Sequence, residues 1–331
     1  MTTEPAQSRP KMYPPPEFPP RKLAVFAKMP PGVFPVVLGL LGLSLALKRA
    51  SIVAQVPEGL ADLVMGLVSG LWLFCAVAYG IKIFRRPAVI LEDLRVLPGR
   101  AGLAAATVGG LAFAAVVGFF DATVAKVVLG LTLALHAGLA VLMIRSLLSA
   151  PPEAREVTPV WHLAFVGFIV GALAATPLGW TVLATWILWG SMGIAAGIWA
   201  VSLWQLLRRI PPAPLRPLLA IHLAPASLFA SVAGLLGMPL LAQSMVVLAL
   251  AIAVALLVVG QWMTSSGFSP LWGAFTFPAA AFASALLING WVLGGVLVTV
   301  LTLGAIPVIA WRVLRMWPTG SLAAKTNAAT A

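Results

Sequence analysis

Phe277 is the residue whose type and position most clearly suggest a function. It lies directly before Pro278 inside the apolar stretch 270–288. A proline inside a helix has no N–H to donate, and its ring pushes against the carbonyl four residues back, here that of Ala274. Broken helices at membrane depth are tolerated where the freed backbone is buried in protein or lines a polar cavity. The stretch therefore predicts a pore wall, with the Phe277 ring at the bend as the gate that closes a conduit.

Three histidines lie within apolar runs, and each could titrate near neutral pH. His136 lies in the middle of its run, whereas His162 and His222 lie one or two turns from the starts of theirs. Neutral rings that hydrogen-bond to a neighbouring helix fit all three positions. If the helices that carry them line the pore, His162 and His222 are candidate contacts at the pore mouth.

No pattern of catalytic or metal-binding residues accompanies them. The sequence contains no Ser/His/Asp arrangement, CxxC pair, HExxH helix or phosphate-cradling glycine loop with a lysine. Its one cysteine, Cys75, lies in an apolar run, so neither a disulfide nor a thiolate cluster can form within one chain. We expect no enzyme activity, no cofactor and no metal site.

The composition indicates a membrane protein. Of 331 residues, 61% are hydrophobic and only 9% are charged, against roughly 25% charged residues in ordinary soluble domains. The net charge of +12 does not indicate nucleic acid, because that partner needs basic residues clustered on a folded polar face. Here the basic residues lie between hydrophobic runs, and we expect no nucleic-acid partner and a lipid bilayer around the chain.

Ten apolar runs come close to the about 20 residues that a membrane-spanning helix needs. They lie at about 32–47, 60–83, 101–120, 124–147, 159–177, 180–206, 216–236, 239–262, 270–288 and 291–311. Most consecutive pairs, starting with the third and fourth, are joined by only a few residues, which predicts five antiparallel hairpins. The predicted organisation is a Pro-rich cytoplasmic tail (1–30), a ten-helix all-α channel domain (31–315) and a second cytoplasmic tail (316–331).

The basic residues predict the orientation. With the N-terminus inside, only Lys48, Arg49 and Lys126 of the 21 lysines and arginines fall outside, which is a strong positive-inside asymmetry. Both termini are therefore expected in the cytoplasm. The Pro-rich tail lacks the apolar region of a cleavable signal peptide, so we expect it to remain, extended and mostly unstructured.

Two odd-numbered spans repeat a motif one hairpin apart. Residues 225–231 and 278–284 both read Pro-Ala-x-x-Phe-Ala-Ser, and the first span has an early proline at Pro35. We interpret Pro35, Pro225 and Pro278 as helix-bending residues. The pattern predicts a quasi-symmetric ring of hairpins whose odd helices face a common axis.

No Asp, Glu, Lys or Arg lies in the middle of any span, and this absence limits the classes of substrate that could pass along the axis. Ion-coupled transporters generally keep such costly groups at depth, and basic residues at a mouth raise the local anion concentration. Two alternatives stay open. One is a passive anion channel with Phe277 as its barrier, and the other is a carrier of a C4-dicarboxylate or tellurite-type oxyanion, proton-linked through His162 or His222.

Three ordered stretches carry a family resemblance that covers about residues 26–315. The stretch 271–278, Leu-Trp-Gly-Ala-Phe-Thr-Phe-Pro, resembles the ninth-helix signature of the TehA/slow-type anion channel family, which includes C4-dicarboxylate/malic acid transporters. Residues 29–35, Met-Pro-Pro-Gly-Val-Phe-Pro, with 38–40, and Leu-Ala-Pro-Ala at 223–226 extend the match.

The resemblance implies ten helices in five hairpins, with the five odd helices around a pore. It also implies a homotrimer with one pore in each protomer, placed in the bacterial inner membrane. Members conduct small inorganic anions or move carboxylates, and the bacterial branch is named for tellurite resistance. The aromatic plug of the family corresponds to Phe277. The glycines of span three and the short tails depart from the family pattern.

Overall fold

The computed structural model describes residues 24–331, without the side chains of residues 153 and 154, so most of the predicted N-terminal tail lies outside the described residues. Thirteen α-helices are found in this part of the chain: α1 Phe34–Ala54, α2 Gly59–Arg85, α3 Val89–Arg95, α4 Leu97–Val117, α5 Ala122–Leu148, α6 Phe168–Ala175, α7 Thr181–Arg208, α8 Leu223–Leu235, α9 Pro239–Val258, α10 Gly260–Met263, α11 Thr276–Ile288, α12 Val292–Leu314 and α13 Ser321–Lys325. No strand occurs between residues 24 and 331.

Shorter helical turns of other types precede several of these helices. The 3-10 segments are Pro31–Val33, Pro152–Arg155, Ala213–His222 and Pro270–Phe275, and a π-helical turn covers His162–Val166. With the turns included, nine segments of the described chain are long and apolar enough to cross a membrane. The predicted fifth span, 159–177, contains a shorter apolar helix, His162–Ala175, in which the π turn precedes α6. The chain is an all-α, multi-pass membrane protein.

The spanning segments fall into two classes of burial. In the segments that contain α1, α4, α8 and α11, 72 to 78% of the most apolar window is buried, against 22 to 28% in α2, α5, α7, α9 and α12. The short α6 is buried almost throughout. The outer helices expose large apolar side chains such as Leu131, Trp186 and Leu293. Helices with this exposed apolar surface suit contact with lipid, and the five buried helices form the interior.

The five buried helices contact one another in a closed order. Helix α1 packs against α4, α4 against α6, α6 against α8, α8 against α11, and α11 against α1. Each outer helix packs against the buried helix that precedes it in the chain, as α5 does against α4 and α9 against α8. The short connections of the sequence therefore become hairpins with one buried and one outer helix.

Glycines let α1 and α11 approach closely. A Cβ atom at Gly42 would lie 2.9 Å from Cδ2 of Phe277, and a Cβ atom at Gly39 would overlap the Thr276 side chain. Small residues permit this backbone approach between membrane helices. The Thr276 hydroxyl lies 2.7 Å from the carbonyl oxygen of Gly273 and 3.3 Å from that of Pro35, so it satisfies backbone groups at the start of both helices.

The two ends of the described chain meet at one end of the bundle, which we call the terminal face. The N–H of Ala331 donates to the carbonyl of Ala27 at 2.9 Å. Asp93 of α3 is fully buried there, with its Oδ2 3.0 Å from Nζ of Lys82 and 2.7 Å from the Tyr79 hydroxyl. Its Oδ1 accepts the N–H of Ala329 at 2.8 Å. This carboxylate thus ties α2, α3 and the C-terminal segment together.

Candidate functional site

The predicted helix-bending prolines lie where one helix type changes to another. Pro225 is the third residue of α8 and Pro278 the third of α11, and each of these helices follows a 3-10 segment. Pro35 is the second residue of α1 after the turn Pro31–Val33. A proline in the first turn of an α-helix sacrifices no intrahelical bond. The chain therefore changes its path at these points, and that the prolines cause the bends remains a prediction.

A cavity of about 40 Å³ opens where all five buried segments begin. Its lining includes Pro35 from α1, Ala101 from α4, Leu163 from the π turn, Ala224 from α8 and Phe277 from α11. The lining is almost entirely apolar, and none of the described residues that form it is charged. This space is therefore bounded by one element from each of the five hairpins.

Phe277 is one of the residues that line this space. Its side chain is only 6% exposed, and it also lines a second cavity of about 20 Å³, together with Val108, Val170 and Leu228. Ala224 lines both cavities as well, and it precedes Pro225 as Phe277 precedes Pro278. The predicted gate residue is therefore shared by two small apolar cavities within the buried helices.

The two histidines predicted at the pore mouth contact each other. Nε2 of His162 lies 3.0 Å from Nδ1 of His222. His162 lines the smaller cavity, and His222 lines a separate groove of about 530 Å³ that includes Arg208. Neither histidine lines the 40 Å³ cavity. His136 is buried elsewhere, with its Nδ1 2.8 Å from the Thr107 hydroxyl.

Nothing in the described part of the chain resembles a metal centre. Between residues 24 and 331, no group of three or more His, Cys, Asp or Glu side chains could hold a metal ion. Cys75 is buried and unpaired with another cysteine. What the described residues of the site form is a pair of small apolar cavities that share the Phe277 side chain.

Two residues of the site were missed by sequence reasoning. Pro98, the second residue of α4, lines the 40 Å³ cavity, although the predicted third span begins only at residue 101. A proline in the first helical turn is a helix-start signal that could have revealed it. Thr326 lines the same cavity from the C-terminal segment, and no local sequence signal predicts that this segment folds back onto the bundle.

Comparison with known families gives one match. Residues 28–317 match the family described as SLAC1, voltage-dependent anion channel. A comparison with curated proteins found none that matches the chain. The matched range contains all five buried helices and Phe277.

Proposed function

Because the chain belongs to the SLAC1 family of voltage-dependent anion channels, we propose that it is a channel that passes small anions between its five buried helices. The pore is lined by α1, α4, α6, α8 and α11, arranged in a quasi-five-fold ring, and Phe277 is its gate. The family itself makes the chain an anion channel or transporter rather than an enzyme.

The observation that carries the proposal is the position of Phe277 among the cavities. One residue of α11 lines both the cavity at the start of the five helices and the smaller cavity beyond it. Apolar constrictions stop ion flow by excluding water, and a buried phenyl ring surrounded by leucine, valine and alanine is such a constriction. With the ring in this place, the described conformation is the closed one.

Charge supports anions as the permeant class. No carboxylate lines either cavity among the described residues. The sequence assigns 18 of the 21 basic residues to one side of the membrane, the side on which we place the terminal face, and an excess of positive charge where anions enter raises the local anion concentration. We propose that this face is cytoplasmic, that the membrane is the bacterial inner membrane, and that the protein forms a homotrimer as the family resemblance implies.

A carrier is the second candidate, because the structure pairs two histidines beside the smaller cavity. A hydrogen-bonded pair such as His162 and His222 could bind a proton together with a C4-dicarboxylate or a tellurite-type oxyanion. The apolar lining around Phe277 favours the channel, since it offers a dicarboxylate no cationic partner at that level. Both candidates share the same five helices and differ in whether transport saturates and depends on protons.

Ion selectivity and saturation test the proposal. In liposomes that contain the Phe277→Ala protein, where the proposed barrier is absent, we expect the reversal potential to follow the chloride or nitrate gradient and not the potassium gradient. Flux should rise with anion concentration through the millimolar range and should not depend on a pH gradient.

Two results would argue against the channel. Cation-selective current would exclude the proposed function. Saturation at millimolar dicarboxylate together with a requirement for a pH gradient, lost in His162→Gln and His222→Gln, would replace the channel by the carrier.

A further inference from the structure

We propose that Arg49 and Ser284 form an anion-binding site in the pore, beyond Phe277 as seen from the terminal face. The inference rests on the proposed function and adds to it a selectivity site. Its ligand is a small monovalent anion, and a planar oxyanion such as nitrate fits best because guanidinium binds planar oxyanions with two parallel hydrogen bonds.

Helix geometry places the site in line with the gate. Gly42 lies against the Phe277 ring. Arg49 follows Gly42 by seven positions on α1, and Ser284 follows Phe277 by seven positions on α11. Seven residues are close to two helical turns, so both pairs lie on the same faces of α1 and α11, about 10 Å further along. The structure confirms contact at this level, because Nη1 of Arg49 donates to Oγ of Ser284 at 3.1 Å.

The Arg49 guanidinium has no counter-ion among the described residues. The nearest acidic residues in the sequence, Glu58 and Asp62, lie 2.5 and 2.6 Å from Nζ of the neighbouring Lys48. Arg49 itself forms no ion pair within 4.0 Å in the described part of the chain and is only partly exposed. A partly buried charge without a partner is costly, and a bound anion removes that cost.

The donors at this position also suit an anion. A guanidinium carries five N–H donors and no acceptor, and the bond to Ser284 uses one of them. Because Ser284 accepts that bond, its own hydroxyl proton can point to a ligand. Arg49 is therefore placed to attract an anion that enters from the side opposite the terminal face, before the anion meets the Phe277 barrier.

Anion conductance with and without Arg49 tests the site. In the Phe277→Ala background, we expect Arg49→Gln to lower nitrate conductance several-fold at low nitrate concentration, and the deficit should shrink as the concentration rises. The nitrate-to-chloride permeability ratio should fall. Arg49→Lys should retain the conductance at low concentration but not the preference for nitrate.

Lys126→Gln provides the matched control. Lys126 is exposed near the start of α5 and belongs to the same predicted side as Arg49. Its removal therefore deletes one charge from that surface and leaves the contact between Arg49 and Ser284 intact. It should leave the conductance unchanged. Equal losses of conductance in the two variants would assign the effect to surface potential and overturn the site. An Arg49→Gln protein with the same conductance as its parent would also overturn the site.

A binding measurement separates this inference from the proposed function. Nitrate should raise the thermal unfolding midpoint of the purified detergent-solubilised protein relative to gluconate, and the shift should be lost in Arg49→Gln and kept in Lys126→Gln. If Phe277→Ala carries no anion current, the proposed function fails. The shift of the unfolding midpoint in nitrate still shows whether an anion binds at Arg49. Its loss in Arg49→Gln alone supports binding at Arg49, and its persistence there overturns the site.

Discussion

Replacing Phe277 with alanine is expected to raise anion conductance by about ten-fold or more, because its ring is the largest of the side chains that line both central cavities. Removing it joins the 40 Å³ and 20 Å³ spaces into a continuous passage. The wall opposite cannot move in to fill the gap without backbone movement, since Gly42 already brings α1 close to the ring. Chloride or nitrate currents in reconstituted bilayers measure the effect.

Phe282→Ala is the control for general loss of packing. Phe282 belongs to the same helix and is also 6% exposed, but it packs with Val246 and Leu286 and lines neither cavity. Truncating either phenylalanine costs about 3–5 kcal/mol of core packing. Only the Phe277 variant should conduct, and equal currents from both proteins would show that the ring is a packing residue.

Replacing Asp93 with alanine is expected to lower the free energy of unfolding by about 3–5 kcal/mol, because it leaves the ammonium of Lys82 buried without a counter-ion. The two side chains are fully buried and their atoms lie 3.0 Å apart. The change also removes the acceptor of the Tyr79 hydroxyl and of the Ala329 N–H. Thermal unfolding in detergent, followed by circular dichroism, should show a clear drop in the midpoint.

Glu92→Ala is the matched control, since Glu92 precedes Asp93 and pairs with Arg86 at a half-exposed site. Exposed pairs contribute only about 0–1 kcal/mol, so this variant should unfold close to the wild-type temperature. The double variant Lys82→Met, Asp93→Leu should recover much of the loss, because no buried charge remains. An Asp93→Ala protein as stable as Glu92→Ala would contradict a structural role for the ion pair.

Much of the fold could be predicted from local sequence signals. Apolar runs, short connections and basic-residue asymmetry are each read within one stretch of chain, and the all-α membrane fold and the family resemblance are confirmed. The repeat at 225–231 and 278–284 reappears as two helices that each follow a 3-10 segment. Such features depend on the residue types within one short stretch of chain, which the sequence gives directly.

The contacts of the site depend on distant parts of the chain and could not be predicted in this way. The bond between Arg49 and Ser284 joins residues 235 positions apart, and the two paired histidines are separated by 60. Sequence reasoning counted Arg49 only as one of the three basic residues on the outer side of the membrane. Glu58 and Asp62 both pair with Lys48 and not with Arg49, and only the side-chain positions show this.

The most direct test of the central claim moves the gate from one wall of the pore to another. Ala224 lines both cavities and occupies the position on α8 that Phe277 occupies on α11. Anion conductance should therefore be measured for Phe277→Ala and for the double variant Phe277→Ala, Ala224→Phe, each checked for correct folding by its elution as a single species.

If the five buried helices enclose the pore at this level, the ring on α8 closes it again and the conductance of the double variant falls back toward the wild-type value. If a correctly folded double variant conducts as well as Phe277→Ala alone, the anions do not pass between Ala224 and Phe277, and the account of the pore is wrong.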